Sequence, residues 1–551
     1  VLFCANGAAQ CGPPSPESIA VHQLYEQKQW TEIVRRAAST HSRSADMDFD
    51  YGMALAHLQR WKGARSALLE GRNSCPKKKR FPEELAGVAF QQKHYAETAK
   101  WLQEALKLDP EDEYALNFAG TDYYLMGNLD AALKYWNRVH KPYVEKLNFP
   151  PGLDLERGIV DRAFAFGPAA VLQRGELVAT DVRLRGLDVF PVYNIGLHAR
   201  ADGKFNAEFN ALERSGFGSN RWQAAIATLG GLPYETIYPA YYNAGRGALN
   251  VESLLRWDAE KERVWVAASA PVHRLPQWRW QLATDERAEN WVVRRSSSRT
   301  APELGAVHLR RAVAGGSFSS LVSGRTQWSL GAEVSARKFS DVRYGSALSS
   351  SLVANGVQGK VLASIHRQLW DVPEHRFTVQ GSAGTEVARL WSKPARLYDK
   401  LQGDARAQWF PQSMGDTYEL QQRVRAGTSF GTPPFDEFWM LGVERDNDLW
   451  LRGSVGTRDG RKGSAPMGDR YFLSNSDFDR RVYSNGLITI KAGPLFDVGR
   501  VAAPTSGLAP REWLFSAGAG VKVTVLGVGA VFTYGRDLRT GTNAFFATMA
   551  Q

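Results

Sequence analysis

Leu249-Asn250-Val251-Glu252-Ser253-Leu254-Leu255-Arg256-Trp257 alternates in character along its length. In an extended chain Leu249, Val251, Ser253, Leu255 and Trp257 face one way. Asn250, Glu252 and Arg256 face the other, with Leu254 as the exception. A strand points successive side chains to opposite sides, so this is the period of a strand with one apolar and one polar face. From Gly216 onward the pattern recurs in Val264–Ala268, Trp278–Ala283, Phe377–Ala388, Tyr418–Gly427, Leu487–Ala492 and Phe515–Val525, with charged and polar turns between. Strands that cross a bilayer have this dyad pattern, apolar to lipid and polar to the lumen. It predicts a transmembrane antiparallel β-barrel over residues 216–551. Closure follows because an open sheet edge in lipid leaves backbone groups unpaired. With 16 strands, residues 217–551 allow about 21 residues per strand and connection, enough for a spanning strand of ~9–11 residues and a loop. A soluble sandwich or propeller would leave the charged face unexplained.

The rest of the composition agrees. The 551-residue chain is 44% hydrophobic, which excludes a disordered chain, yet its mean hydropathy is −0.35. No run approaches the ~18 apolar residues of a spanning helix. Seventeen tryptophans and 51 glycines suit a chain whose apolar face is hidden on alternate positions. The net charge of +11 is spread out, and its one dense run, Lys77–Arg80, reads as a solvated loop between helices. No nucleic-acid-binding signature accompanies it, so no nucleic-acid partner is expected. Cys4, Cys11 and Cys75 form no CxxC pair, so no metal site is expected. Val1–Ala5 reads as the end of an apolar signal segment and Gly7-Ala8-Ala9 as a small-residue cleavage site, making residues 1–16 a signal-peptide remnant.

A different period governs the N-terminal part. Gly52, Gly87 and Gly120 recur at 35 and 33 residues, and Ala64, Ala99 and Ala132 share those intervals. Here the glycines would let paired helices approach and the alanines would sit at their crossings. Tyr123, Tyr124 and Trp136 fill the groove of the best copy, which turns at Gly127-Asn128. Ile19–Ala38 reads as a degenerate fourth copy. Residues 17–142 thus resemble the tetratricopeptide family, an α-helical solenoid that implies a concave peptide-binding face.

After a linker over 143–155, residues 156–215 read as a small α/β module. Gly158–Phe166 is expected to be a strand, Glu176–Leu187 a helix, and Tyr193–Ala199 and Phe205–Leu212 a hairpin. Thr180-Asp181-Val182-Arg183-Leu184-Arg185-Gly186-Leu187-Asp188-Val189-Phe190, the two strands and Glu213-Arg214 resemble the last POTRA module of the BamA/TamA surface-antigen superfamily. That resemblance implies a module joined directly to an outer-membrane barrel.

The barrel carries matching motifs. Phe435–Gly442 followed by Leu451-Arg452-Gly453-Ser454 resembles the superfamily's sixth extracellular loop, with Ser454 where an aromatic is usual. Gly468–Phe478 resembles the strand after it. Leu495-Phe496-Asp497-Val498-Gly499-Arg500 resembles the Phe-x-Asp-x-Gly strand. Arg452 offers five donors and Asp497 a carboxylate, and the resemblance implies that this pair anchors the loop in the lumen. Gly453 is expected to permit a tight turn and Gly499 a close approach to the wall. Arg445 and Asp448 are rival partners. Arg539, Gly541, Ala544 and Phe546 fit a β-signal in the last strand, and Arg221–Gly230 is taken as the first, with Gly230-Gly231 ending it.

The resemblance implies a bacterial outer-membrane barrel that inserts or exports polypeptides, or lipid. Its N-terminal domains would lie in the periplasm and recruit an unidentified polypeptide client or partner. Outer-membrane lipid would surround it. A polysaccharide-export porin and a surface receptor or adhesin are the alternatives. The nucleophile, metal and phosphate-loop motifs are lacking, so no catalysis and no cofactor are expected.

Overall fold

The computed structural model describes residues 15–550, apart from 295, 297, 299, 506 and 526. The expected cleavage site at Gly7-Ala8-Ala9 lies outside the described residues. The chain divides into two compact units, the first reaching Tyr143 and including 171–174, the second holding 144–170 and 175 onward.

The first unit is a run of helical hairpins. They are α1 (Pro16–Glu26) with α2 (Trp30–Ala38), α3 (Ala45–His57) with α4 (Trp61–Ser74), α5 (Arg80–Gln91) with α6 (Tyr95–Leu108), and α7 (Glu113–Leu125) with α8 (Leu129–Trp136). Ser15, Ser44, Asp112 and Asn128 open helices by accepting a hydrogen bond from a first-turn amide. Each hairpin turns on a left-handed residue: Lys28, Gln59, Lys93 and Gly127.

Those turns correct the repeat register. Gln59, Lys93 and Gly127 are spaced by 34 and 34 residues. Counting seven back gives Gly52, Ala86 and Gly120, and five forward gives Ala64, Thr98 and Ala132. Gly87 and Ala99 are therefore one residue off. A Cβ on Gly52 would lie 2.7 Å from Leu68 Cγ, and one on Gly120 would overlap the Trp136 indole. One on Gly87 would meet nothing nearer than the Glu84 carboxylate at 3.7 Å. Ala86 and Thr98 hold the close crossing instead, both fully buried.

The small module starts earlier than expected. β1 (Tyr143–Asn148) falls inside the expected linker, and the expected strand Gly158–Phe166 is largely helix α9 (Arg157–Ala163). Ile159, Val160 and Ala163 explain the helix: they are buried together at helical spacing. β2 (Ala170–Val171), α10 (Arg174–Leu187), β3 (Val192–Ala199) and β4 (Phe205–Leu212) follow. The sheet order is β2-β1-β4-β3, with β1 parallel to β4 and β3 antiparallel to it. Phe164, Phe190 and Phe209 pack edge-on between sheet and helices.

Helix α11 (Arg221–Leu229) comes next, where the first barrel strand was expected. Asn220 caps it by accepting from Gln223 N, Ala224, Ala225 and Ala227 favour it, and Gly230 ends it. Then come β5 (Thr236–Ile237), β6 (Ala240–Ala244), β7 (Leu249–Asp258), β8 (Lys261–Val272), β9 (Leu275–Arg294), β10 (Glu303–Ser320), β11 (Thr326–Arg343), β12 (Gly356–Val372), β13 (Phe377–Trp391), β14 (Arg396–Trp409) and β15 (Tyr418–Gly431). A long loop carries β16 (Trp439–Met440), β17 (Thr457–Arg458), β18 (Arg461–Lys462) and β19 (Met467–Gly468). β20 (Arg470–Ser484), β21 (Ile488–Ala502), β22 (Leu514–Val525), β23 (Val528–Asp537) and β24 (Asn543–Ala550) finish the chain.

These strands close a barrel in which β24 meets β5. β5 and β6 pair with β7 in one register and form a single interrupted strand. Leaving aside the loop's own short strands, the wall among the described residues therefore has fifteen strands, not the expected 16. Every neighbouring wall pair from β5 to β24 is antiparallel, so with an odd number the closing pair runs parallel. α11 occupies the stretch of sequence in which the first of the 16 expected strands was placed. Leu254 is the apolar exception on the inner face, where it is buried with Asn250 and Arg256.

The outer face is apolar, with Leu282, Leu330, Val334, Val361, Ile365, Val387, Leu401 and Phe430 exposed. The inner face buries Arg256, Lys261, Glu289, Arg337, Lys360, Glu419, Arg425 and Asp497. Trp370 and Trp409 stand at one end of the outer face, Trp257 and Trp391 at the other, all exposed. The module sits at the end bearing the short turns: Asn250 Nδ2 donates to Leu187 O (2.9 Å) and Arg274 pairs with Glu156 (2.8 Å).

Candidate functional site: a charged loop locked inside the barrel

The segment joining β15 to β20, residues 432–469, folds back into the barrel. β16 pairs with β19, β17 with β18, and β18 touches β9 at Lys462 opposite Trp291. Three charged clusters hold it.

The first is the expected pair. Arg452 Nε and Nη2 donate to Asp497 Oδ1 at 3.0 and 2.6 Å, and Arg452 N donates to Asp497 Oδ2 at 2.7 Å. The remaining guanidinium donors reach the Asp477 carboxylate and Ser476 O. Asn475 Nδ2 also donates to Asp497, 2.8 Å away. Asp497 is fully buried and Arg452 nearly so. Buried charges need this degree of pairing, because desolvation is costly and only matched geometry offsets it.

The glycines work by closeness. A tight turn closes where Ser454 N donates to Leu451 O (2.8 Å). Gly453 sits so near the wall that a Cβ would lie 2.5 Å from Asp537 N and 2.6 Å from Ser516 Oγ. At Gly499 a Cβ would meet Leu441 and Leu451 of the loop at 3.2 and 3.3 Å.

The other two clusters were not foreseen. Asp436 accepts from Arg311 and Arg337 at 3.2 and 2.7 Å. Glu437 pairs with Arg337, Arg311 and Lys360, each at 3.1 Å. Further along, Asp446 accepts from Arg256, Arg263 and Lys462 at 2.8, 2.7 and 3.0 Å, and Lys462 also donates to Glu289 at 2.6 Å. The wall thus offers Arg256, Arg263, Arg311, Arg337 and Lys360 to loop carboxylates, while the loop offers Arg452 to wall carboxylates. Inward position in the alternating pattern was the available signal, but alternation does not say which strand neighbours which.

The rival residues go elsewhere. Arg445 lies over the Tyr234 ring, 3.3 Å from its centroid, and Asp448 accepts from Arg425 (3.1 Å). Towards the loop end, Trp291, Leu309, Phe339, Leu352, Phe435, Phe438, Met467 and Leu508 form an apolar cluster. Beneath the loop a cavity of about 400 Å³ remains in the lumen, lined by Gln281, Asp285, Glu333, Ser364, Glu386 and Gln402 among others.

The β-signal residues do not share one strand. Arg539 and Gly541 lie in the turn before β24, where Asp537 accepts from Arg539 N and Gly541 has φ +70°. Only Ala544 and Phe546 belong to β24. Both face inward: Ala544 is buried, and the Phe546 ring meets Trp450 of the loop at 5.1 Å. Among the described residues, no group of three or more His, Cys, Asp and Glu is placed to hold a metal ion.

The barrel is similar to BamA and CdiB. BamA from Haemophilus ducreyi lacking POTRA domains 1–3 aligns over 74% of this chain and 84% of its own, at 10% identity and a TM-score of 0.42. CdiB from Escherichia coli aligns over 74% and 75%, at 13% identity and a TM-score of 0.45. CdiB from Acinetobacter baumannii aligns over 81% of each chain, at 12% identity and a TM-score of 0.42. The likeness to BamA and CdiB is a loose one of fold. No protein-family model and no curated protein matches the chain.

Proposed function

We propose that the chain is an outer-membrane barrel of the BamA/TamA type, which inserts polypeptides into the outer membrane or moves them across it. The observation that carries this reading is the Arg452 loop, locked by buried charge inside a barrel whose outer face is apolar. Such a barrel is inverted relative to a soluble protein and suits lipid outside and water within. A loop held at several points is a plug that can be released.

In this reading the N-terminal hairpins are a tetratricopeptide array and the β1–β4 module is POTRA-like, both periplasmic and both engaged with a client or partner. A parallel contact between the first and last strands of the module's sheet, two helices between, and a following hairpin support the second assignment. The seam offers the client its entry. β5 is two residues long, whereas β23 and β24 pair over eight positions, so most of the β24 edge faces α11 rather than a strand among the described residues, and displacing that helix would open the edge to strand addition.

The plugging loop argues against a polysaccharide-export porin, which needs an open lumen. The test is reconstitution in liposomes with an unfolded outer-membrane protein as client, scored by protease protection of the folded client. Accelerated insertion that Arg452→Ala reduces several-fold supports the proposal. Insertion at the rate of empty liposomes overturns it.

A further inference from the structure

The position of α11 carries an inference beyond the assembly role. Between Ser215 and Glu235 the chain holds one charged residue, Arg221. Yet this segment is exposed: Trp222 by 78%, Phe217 by 68%, with Ile226, Leu229 and Leu232 open as well. Trp222, Ile226 and Leu229 lie at i, i+4 and i+7 and share one face of the helix. The polar Gln223 is turned away and buried, accepting from Ser219 N at 3.0 Å. The amphipathic order is the reverse of that of a helix on a water-soluble surface.

The helix sits at the barrel seam. On one side Gly216 pairs with Tyr242 and Tyr238 N donates to Thr228 O at 2.9 Å. On the other, a Cβ on Gly230 would lie 2.8 Å from Met549 Sδ. In β24 Ala544 and Phe546 face inward and Phe545 is exposed outward, so alternation places Met549 on the outer side. The helix therefore joins the outer face, continuous with exposed Phe532, Tyr534 and Phe545.

We propose that α11 is a membrane-embedded helix that completes the barrel wall, with bilayer acyl chains as the partner of its Trp222–Ile226–Leu229 face. A helix is the one element other than a paired strand that can fill such a gap, because it satisfies its own backbone groups in hydrocarbon. Its nine residues rise about 13 Å, covering roughly half the hydrocarbon thickness. This inference rests on the proposed placement of the barrel in a bilayer.

The test uses the full chain in phosphatidylcholine bilayers, with nitroxide labels at Trp222→Cys, Ile226→Cys and Leu229→Cys. Leu330→Cys on the outer wall and Asp202→Cys on the module hairpin are the references, and the wild-type chain gives the background. The readout is collision with oxygen relative to a water-soluble nickel chelate. The helix positions should fall within about twofold of Leu330 and about tenfold above Asp202. Helix positions that match Asp202 while Leu330 reads as lipid overturn this inference and leave the barrel reading standing. A Leu330 label that itself reads as water overturns the barrel placement, and this inference with it. Photolabelling of the unsubstituted chain by a carbene-bearing phospholipid provides a second readout: labelled peptides should cover 217–232, and their absence beside labelled β-strand peptides counts against the helix being embedded.

Discussion

Replacing Arg452 with alanine leaves Asp497 fully buried with its main cation gone. Breaking such a pair typically costs about 3–5 kcal/mol. Arg452→Ala should lower the thermal midpoint of the barrel and open residues 432–469 to protease. Arg452→Lys should recover only part, because one ammonium cannot span Asp497, Asp477 and the Ser476 carbonyl together. Two glycines give a sharper contrast. Gly120→Ala should destabilise the helical unit by about 1–3 kcal/mol, since its methyl must displace Trp136. Gly87→Ala should be neutral or stabilise it by up to about 1 kcal/mol, by helix propensity alone. Thermal melts followed by far-UV circular dichroism separate the two. Asp122 adds a pH dependence: its two carboxylate oxygens accept no hydrogen bond, and burial pushes its pKa up to about 7. The folded state then holds a proton that the unfolded chain gives up near pH 4. Stability of the helical unit should be highest below that pH and fall as pH rises towards 7. Asp122→Asn should flatten this slope and raise the midpoint at pH 8. Arg452 and Asp497 were legible because both carry a motif. Asp436 and Asp446 were not, because their partners lie on strands far away in sequence that only closure brings near.

At the scale of elements, the loop is held by complementary charge rather than by one anchor. Asp436→Asn with Glu437→Gln would remove both loop carboxylates from Arg311, Arg337 and Lys360, leaving Arg311 and Lys360 only the wall carboxylates Glu333 and Glu386 and Arg337 no ion-pair partner among the described residues. That variant should show channel openings in planar bilayers where the parent stays closed. The hairpins were legible from a period near 34 residues, although the exact register needed the turn residues Gln59, Lys93 and Gly127. The α9 segment was misread because Ile159, Val160, Phe164 and Phe166 satisfy both a strand and a helix period. α11 was misread for a related reason: an uncharged stretch in a barrel reads as a strand, and only its alanines and the Asn220 cap argued otherwise. β10, β11 and β14 were passed over because glycine, alanine and serine dilute their alternation.

Over the whole molecule, the barrel is far from uniform in height. β9, β10 and β11 run for 20, 18 and 18 residues, whereas β24 has eight. At a tilt near 45° those lengths span roughly 45 Å on one flank and about 20 Å at the seam, against a hydrocarbon layer of ~30 Å. In the proposed bilayer placement, lipid cannot leave apolar chain ends facing water beside the short flank, so the bilayer would thin there, at an elastic cost that grows with each ångström of mismatch. The chain should accordingly show a higher thermal midpoint in bilayers of twelve-carbon than of eighteen-carbon lipids, at about twelve and eighteen carbons per acyl chain; equal midpoints would mean the lipid does not deform. If the proposed function holds, the short flank makes the protein a standing distortion of its own solvent: beside the seam, an incoming polypeptide would have less hydrocarbon to cross than anywhere else on the circumference.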